Sequence, residues 1–197
     1  MGFVICEYEK VKQEFPYFKE VMASLEAGLI NEARRAWPSL SYTPPGIFPK
    51  AGEFGKSTIM PQLFNNMSGT RFTTWLQELT ALGHQTIMTG AGAGGLIAED
   101  YKVGICGLAF LSKPLNVTEI KMQISNQKLP RINIEEMMGY NKPAVVFEDW
   151  YLLDEETSFD LYAYVEALGL QRIKLIGAQV NRIPNKLQIS ATGAALT

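Results

Sequence analysis

The stretch that decides the fold is residues 144–183, AVVFEDWYLLDEETSFDLYAYVEALGLQRIKLIGAQVNRI. Strict alternation of apolar and polar residues is typical of a strand with one face on a core. The break at 167–170 predicts a hairpin loop at Gly169, and a phase slip predicts a β-bulge at Gly177. The alternation is clearest where apolar residues Phe159, Leu161, Ala163 and Val165 interleave with Asp160, Tyr162, Tyr164 and Glu166.

Strand-like segments continue through the chain from residue 84. They recur roughly every ten residues with short turns, which favours an antiparallel sandwich over a βαβ fold. Residues 101–112 are apolar on both faces, so this strand is expected to be central or covered. Residues 126–143 are expected to form a long loop. The predicted strands are 84–89, 101–112, 116–125, 144–153, 158–167, 170–183 and 186–191.

The first third of the chain has a different texture, and we predict a division into 1–83 and 84–197. Residues 1–83 are predicted to form an arm, a helix and a connector, and residues 84–197 are predicted to form the β-sandwich. Residues 38–62 carry five prolines and three glycines, which predicts an irregular connector that runs over a surface. Residues 71–83 are predicted to form a short helix that ends at Gly83.

An amphipathic helix is predicted over residues 16–36, beginning at Pro16 and ending before Pro38. Its apolar face can pack on its own domain, on a neighbouring subunit or on a membrane. Membrane-surface helices usually carry basic residues on the polar face, whereas this face is rather acidic, so packing on protein is favoured. The candidate interface residues on this helix are Phe18, Val21, Leu25 and Leu29.

Composition limits the function classes. The net charge of −2 gives the chain no electrostatic attraction to nucleic acid. Charged residues make up 19%, a low share that fits a surface covered by neighbouring subunits or a monomer with an uncharged polar surface. Cys6 and Cys106 lie far apart and away from the single histidine, so we expect two buried thiols and no metal site, with a disulfide left open.

Two glycine-containing segments match parts of known nucleotide-binding motifs but lack the flanking strand or helix that such motifs require. Gly55-Lys56-Ser57-Thr58 lacks the preceding glycine and strand of a phosphate-binding loop. Residues 90–95 match a dinucleotide-binding glycine pattern, but a strand rather than a helix follows, so we expect a turn. His84 is expected at a helix cap or on the surface, and acids in 148–160 are expected to be solvated turn residues. No cofactor, metal or catalytic residue is predicted.

Aromatic side chains are predicted on the solvent side of neighbouring strands. Tyr162 and Tyr164 lie opposite the aliphatic face of their strand, and Trp150 lies on the strand before it. Exposed amphipathic aromatics suit a protein–protein interface or a platform on which a sugar stacks. The alternative is that the N-terminal helix or the connector of the same chain covers them.

The C-terminal half resembles the single-jelly-roll capsid proteins of icosahedral viruses, particularly DNA viruses of archaea and thermophilic bacteria. The segments that carry the resemblance are NVTEIKMQISNQKLPRIN at 116–133, AVVFEDWYLL at 144–153 and SFDLYAYVEALGLQRIKLIGAQV at 158–180. The resemblance implies eight strands in two packed sheets, with an N-terminal arm that reaches neighbouring subunits. It also implies a virion protein that assembles in the host cytoplasm with copies of itself and with other shell proteins.

The predicted function is therefore structural self-assembly without catalysis, as a capsid subunit in a major or minor role. No sequence-specific nucleic acid partner is expected, and direct membrane contact is left open. The leading alternative is a carbohydrate- or ligand-binding sandwich that uses Trp150, Tyr162 and Tyr164. Weaker alternatives are a filament subunit that exchanges a strand or arm, and an enzyme that uses the 148–160 carboxylates. Deleting residues 1–60 is expected to abolish assembly and leave a folded core.

Overall fold

The structure, a computed structural model, describes residues 2–183. Two helices in this range are α1 (Tyr8–Glu14) and α2 (Pro16–Ala36). Short 3-10 turns lie at Pro61–Leu63, Ala93–Gly95 and Glu135–Gly139. The strands are β1 (Phe3–Glu7), β2 (Ser41–Thr43), β3 (Glu53–Thr58), β4 (Phe64–Asn66), β5 (Leu76–Leu79), β6 (Gly83–Gly90), β7 (Tyr101–Phe110), β8 (Val117–Ile124), β9 (Gln127–Lys128), β10 (Ile132–Asn133), β11 (Pro143–Leu153), β12 (Phe159–Val165) and β13 (Gly169–Arg182).

The strands form two packed sheets. Sheet A has the order β1-β11-β7-β13-β3-β2, and β5 also pairs with β13. Sheet B has the order β10-β8-β12-β6-β4, and β9 also pairs with β8. Among the described strands, every pairing is antiparallel except that of β2 with β3. The prediction of a mainly β, antiparallel sandwich is confirmed.

The pairing is nested in the manner of a jelly roll. β3 pairs with β13, β6 with β12, β7 with β11 and β8 with β10, so early strands meet late ones. A long hairpin of eight strands that folds over into two sheets gives this nesting. β3, β13, β7 and β11 lie in sheet A, and β6, β12, β8 and β10 lie in sheet B. The jelly-roll-like topology places the first and last of these strands side by side.

Two hydrophobic cores lie on opposite faces of sheet A. The larger core fills the space between the sheets and includes Phe110, Phe147 and Phe159. The smaller core lies between sheet A and α2 and includes Leu25 and Leu29. This arrangement explains why β7 is apolar on both faces, since it lies between β11 and β13 in the centre of a covered sheet. The prediction of a central strand at 101–112 is confirmed.

Helix α2 has the bounds that the sequence predicts. Pro16 occupies its first turn, where the missing N–H has no helical partner to lose, and the Trp37 N–H closes the last turn on the Ala33 carbonyl. Leu25 and Leu29 are fully buried. They fill the space over sheet A where Gly104 has no side chain. A methyl group at position 104 would touch both leucines, because its carbon would lie 2.9 Å from the Leu25 Cγ.

The residues before position 84 are built into the sandwich. β1 pairs with β11 and β3 with β13 in sheet A, while β4 pairs with β6 in sheet B. The expected connector at 38–62 therefore contains strands, and the expected helix at 71–83 is wrong. Residues 76–79 form β5, which pairs with Gly169–Arg172 of β13. Tertiary pairing overrides a helical spacing of apolar residues here.

The predicted hairpin at 167–170 is also wrong. β12 lies in sheet B and β13 in sheet A, so the chain crosses from one sheet to the other at this point. Gly169 does take a positive φ of 139°, as expected for a sharp change of direction. The expected long loop at 126–143 contains β9, β10 and a 3-10 turn. The predicted strand at 186–191 lies outside the described residues.

The bulge at Gly177 is confirmed in position but has a different cause. The register between β13 and β7 shifts between Ile176 and Gly177, and the extra residue is Cys106 in β7. Along β13 the alternation is unbroken. Ile173 and Leu175 enter the core between the sheets, whereas Ile176 enters the core beneath α2. The apolar residues of β13 look out of phase in the sequence only because both faces of the strand are buried, each in a different core.

Candidate functional site

The most exposed large apolar side chain that the structure describes lies in the loop between β2 and β3. This proline loop, residues 44–49, reads Pro-Pro-Gly-Ile-Phe-Pro. Phe48 is 93% exposed and its neighbour Ile47 is 62% exposed. Proline fixes its own φ and restricts the residue before it, so the three prolines limit the conformations that the loop can adopt. The loop therefore presents an aromatic ring to solvent from a backbone in which proline fixes φ at three positions.

The base of the proline loop is fastened by the Glu53 carboxylate. The Thr43 hydroxyl donates a hydrogen bond of 2.8 Å to Glu53 Oε2, and the backbone N–H of Lys50 donates one of 2.9 Å to the same oxygen. The Lys50 hydrogen bond, followed by that of Thr43, holds the pKa of Glu53 below its usual value. Pro49 packs against Gly55, where a side chain would crowd it.

A groove of about 610 Å³ borders the proline loop, and Pro45 forms part of its wall. We call it the α2 groove, because it lies between α2 and the β13 side of sheet A. It exists because β13 changes neighbours: residues 169–172 pair with β5 and 178–182 pair with β3, which leaves a gap between them. The apolar lining of the groove is formed by Phe18, Met22, Ala23, Ile59, Leu175 and Ile176.

Charged side chains surround the apolar lining of the α2 groove. Lys56 forms an ion pair with Glu26, which links β3 to α2 across the groove. Lys174 Nζ lies 3.4 Å from the Tyr8 hydroxyl, and Lys19 also lines the groove. An apolar floor with a polar rim is the usual composition of a protein–protein contact site.

The outer face of sheet B carries the predicted tyrosines. Tyr164 is exposed and meets the His84 ring edge to face, with ring centroids 5.0 Å apart. The Lys121 ammonium lies 5.4 Å from the centre of the Tyr162 ring. Burial, followed by the charge of Asp160, raises the pKa of the Tyr162 hydroxyl and keeps it protonated. A shallow groove of about 260 Å³ here is lined by His84, Glu119, Lys121, Gln123, Lys128, Arg131, Tyr162 and Ala163.

Two carboxylates of the 148–160 segment, Asp154 and Glu155, are held in a cluster of ion pairs and hydrogen bonds. Glu155 Oε1 accepts a hydrogen bond of 2.8 Å from the Trp37 indole, and Glu155 Oε2 lies 3.3 Å from Arg182. Asp154 forms an ion pair with Lys102, whose side chain is buried. Lys102 and Arg182 also lie over the Trp37 ring. This cluster ties the end of α2 to the ends of β11 and β13.

We predict that Lys102→Met lowers the free energy of unfolding by roughly 1–3 kcal/mol. This loss of stability is smaller than that for a fully buried ion pair, because the Asp154 side chain is 47% exposed and becomes hydrated once Lys102 is removed. Urea unfolding at neutral pH measures it. Lys142→Met is the control, since its partner Glu9 and Lys142 itself are both well exposed and such surface pairs contribute little to stability. Equal losses in the two variants would contradict the structural role of Lys102.

The candidate interface residues occupy three different places. Phe18, Val21, Leu25 and Leu29 are buried by the chain's own sheet A, so the helix packs on its own domain in this structure. Trp150 lies under α2 against Gly28. Tyr162 and Tyr164 lie on the other sheet, so the expectation that Trp150 adjoins them on a neighbouring strand is wrong. Of the seven, the two tyrosines face solvent on a common strand face.

Sequence reasoning missed Ile47 and Phe48. The available signal was two adjacent large apolar residues enclosed by prolines, with no periodic partner that would place them in a core. The glycine pattern at 90–95 does connect β6 to β7 as a turn, and Gly55-Lys56-Ser57-Thr58 lies in β3. His84 lies on the surface, not at a helix cap.

Comparison of the chain with family models, curated proteins and solved structures finds no match. Within residues 2–183, no three His, Cys, Asp or Glu side chains are grouped to hold a metal ion. No helix in the described part of the chain is long and apolar enough to cross a bilayer. Cys6 and Cys106 are free and buried, as the sequence predicts, and burial raises the pKa of their thiols to about 11 and about 12.

Proposed function

We propose that the protein is a structural subunit that self-assembles into a shell, as a viral capsid protein in a major or minor role. The observation that carries the proposal is Phe48, which is almost fully exposed on a loop held by three prolines. An exposed aromatic side chain is a typical anchor of a protein–protein interface, because it has few rotatable bonds and loses little entropy when it binds.

The fold supports the proposal without deciding it. Jelly rolls are used by viral capsid proteins, but also by lectins and cupins, so function has to be argued from surfaces. The edges of sheet A add to the argument. Among the described strands, β1 has a neighbour on one side, and its residues Phe3 and Val4 are exposed. An exposed apolar edge strand is a template for pairing with another chain. Pairing of this kind would also suit the filament subunit considered above.

The second candidate function is a carbohydrate- or ligand-binding module. The specific observation in its favour is the groove on sheet B, where Tyr162 and Lys121 lie side by side. A tyrosine ring offers a face on which a sugar stacks, and the cations offer hydrogen bonds or charge to an acidic sugar. Trp150 does not belong to this site, because it lies beneath α2.

The test is size-exclusion chromatography with light scattering, followed by negative-stain microscopy of the purified full chain. The proposal predicts regular particles whose population rises with protein concentration. A protein that remains monomeric at every concentration would overturn it. A monomer that binds immobilised glycans, and loses them in Tyr162→Ala, would establish the second candidate instead.

A further inference from the structure

Ile47 and Phe48 of the proline loop, which we call the knob, lie next to the α2 groove on the surface of the protein. Pro45 lines the groove, and Phe48 follows it by three residues in a loop whose base is fastened. In a symmetric dimer, the same patch of both copies meets, so a knob beside a groove is self-complementary.

The groove is large enough for the knob. An engineered apolar cavity of about 150 Å³ binds benzene, and the α2 groove has about 610 Å³. Its floor includes apolar side chains of Phe18, Ile59 and Ile176, against which an aromatic ring can pack beside the Lys56–Glu26 ion pair. The ammonium groups of Lys19 and Lys174 at the rim can remain in water while their stems cover the ring.

We propose that two copies of the chain pair by reciprocal insertion, so that Phe48 of each copy occupies the α2 groove of the other. The inference rests on the proposed function and names the contact from which assembly starts. One knob enters each groove, and the contact closes around a two-fold axis. Edge strands such as β1 remain available for further contacts between these pairs.

The area that the two knobs bury indicates how strong the pairing is. A buried phenylalanine removes roughly 150–250 Å² from water, and each copy contributes one, with Ile47 beside it. With Ile47 and the groove walls that they cover, two knobs give a small contact, below the roughly 1,200 Å² at which stable specific interfaces begin, so further contacts in an assembly would have to reinforce it. A contact of this size depends strongly on its central anchor. Loss of both Phe48 rings is therefore expected to weaken pairing by roughly a hundredfold or more.

The first experiment compares Phe48→Asp with Leu82→Asp by sedimentation velocity and negative stain. Leu82 is 59% exposed in another loop, so it is a matched apolar-to-acidic control. Both substitutions lie at exposed positions and leave the fold intact, which circular dichroism verifies. A third variant, Ala23→Trp, fills the groove from the exposed side of α2. We expect Phe48→Asp and Ala23→Trp to prevent association, and Leu82→Asp to associate like the wild type.

The second experiment maps the contact with a mixture of two variants that each carry one added cysteine, Phe48→Cys and Ala23→Cys. A disulfide between them can form only between copies, because each chain carries one of the two new thiols. Cys6 and Cys106 contribute little background, since burial keeps them protonated. We expect covalent dimers from this mixture and none from a mixture of Leu82→Cys with Ala23→Cys.

The outcomes separate this inference from the proposed function. Association that survives Phe48→Asp would overturn reciprocal insertion and leave shell assembly standing. A wild-type chain that never associates would overturn both. Binding of wild-type protein to phosphatidylcholine vesicles that Phe48→Asp abolishes, with no association in solution, would show that the knob is a membrane anchor and would also overturn the inference.

Discussion

Gly177→Ala is expected to prevent stable folding or to lower the free energy of unfolding by more than about 4 kcal/mol. Gly177 lies at the bulge between β13 and β7 with a φ of 155°, and a Cβ there would overlap the carbonyl oxygen of Gly104. That oxygen belongs to the backbone of a central strand, so it cannot move without disturbing both neighbouring ladders. Thermal unfolding should show a drop in Tm of roughly 10 °C or more.

The control for this variant is Gly69→Ala. Gly69 also has a positive φ, of 75°, but a Cβ there would have nothing within 4 Å. Its cost should be that of the left-handed backbone alone, roughly 1–2 kcal/mol. If the two variants were equally stable, the close approach of β13 to β7 at Gly177 would be contradicted.

Deleting residues 1–60 is expected to abolish folding of the rest of the chain. The sequence alone suggested that a folded core would remain, but the structure places β1, β2, β3 and α2 within this segment. Their removal would expose the apolar outer face of sheet A, including Cys106, Val146 and Ile176. We expect an insoluble product, or one that lacks a cooperative unfolding transition in circular dichroism. A soluble fragment that unfolds cooperatively would contradict the two-core architecture.

Point variants test the same architecture in the full chain. Leu25→Ala should cost about 2–5 kcal/mol, because Leu25 is fully buried beneath α2 and leaves a cavity over Gly104. Ser24→Ala on the solvent side of the same helix should change stability by about 0.5 kcal/mol or less. Urea unfolding distinguishes the two. Equal stability of the variants would mean that α2 does not rest on sheet A.

The elements that the sequence predicts well are those with a strong local period. α2 repeats its apolar residues at helical spacing between two prolines, and β12 alternates without a break. In such segments the spacing of the buried residues matches the period of the helix or strand, so the sequence alone indicates the element. The strands missed within 38–66 have no such period. β3, for example, buries Phe54 and Gly55 among otherwise polar residues, and pairing with β13, far away in sequence, is what makes it a strand.

Topology and surfaces were harder to predict for a physical reason. The alternation of β12 and β13 is the same whether they pair with each other or lie in opposite sheets, so the crossing near Gly169 leaves no local trace. Trp150 and Tyr162 are both aromatic residues on strands, yet one is covered by α2 and the other faces solvent. Which face a helix covers is decided by packing between distant elements. The exposure of Phe48 could not be predicted in the same way, because a residue in a loop belongs to no periodic pattern that would show which side faces solvent.

Electron cryo-microscopy of the concentrated full chain tests the central claim most directly. The account predicts ordered assemblies in which the proline loop of one subunit enters the groove between α2 and β13 of its neighbour. Density for Phe48 beside Ala23 of another copy would meet that prediction. Isolated monomers at every concentration, with the proline loop facing solvent in each, would contradict it.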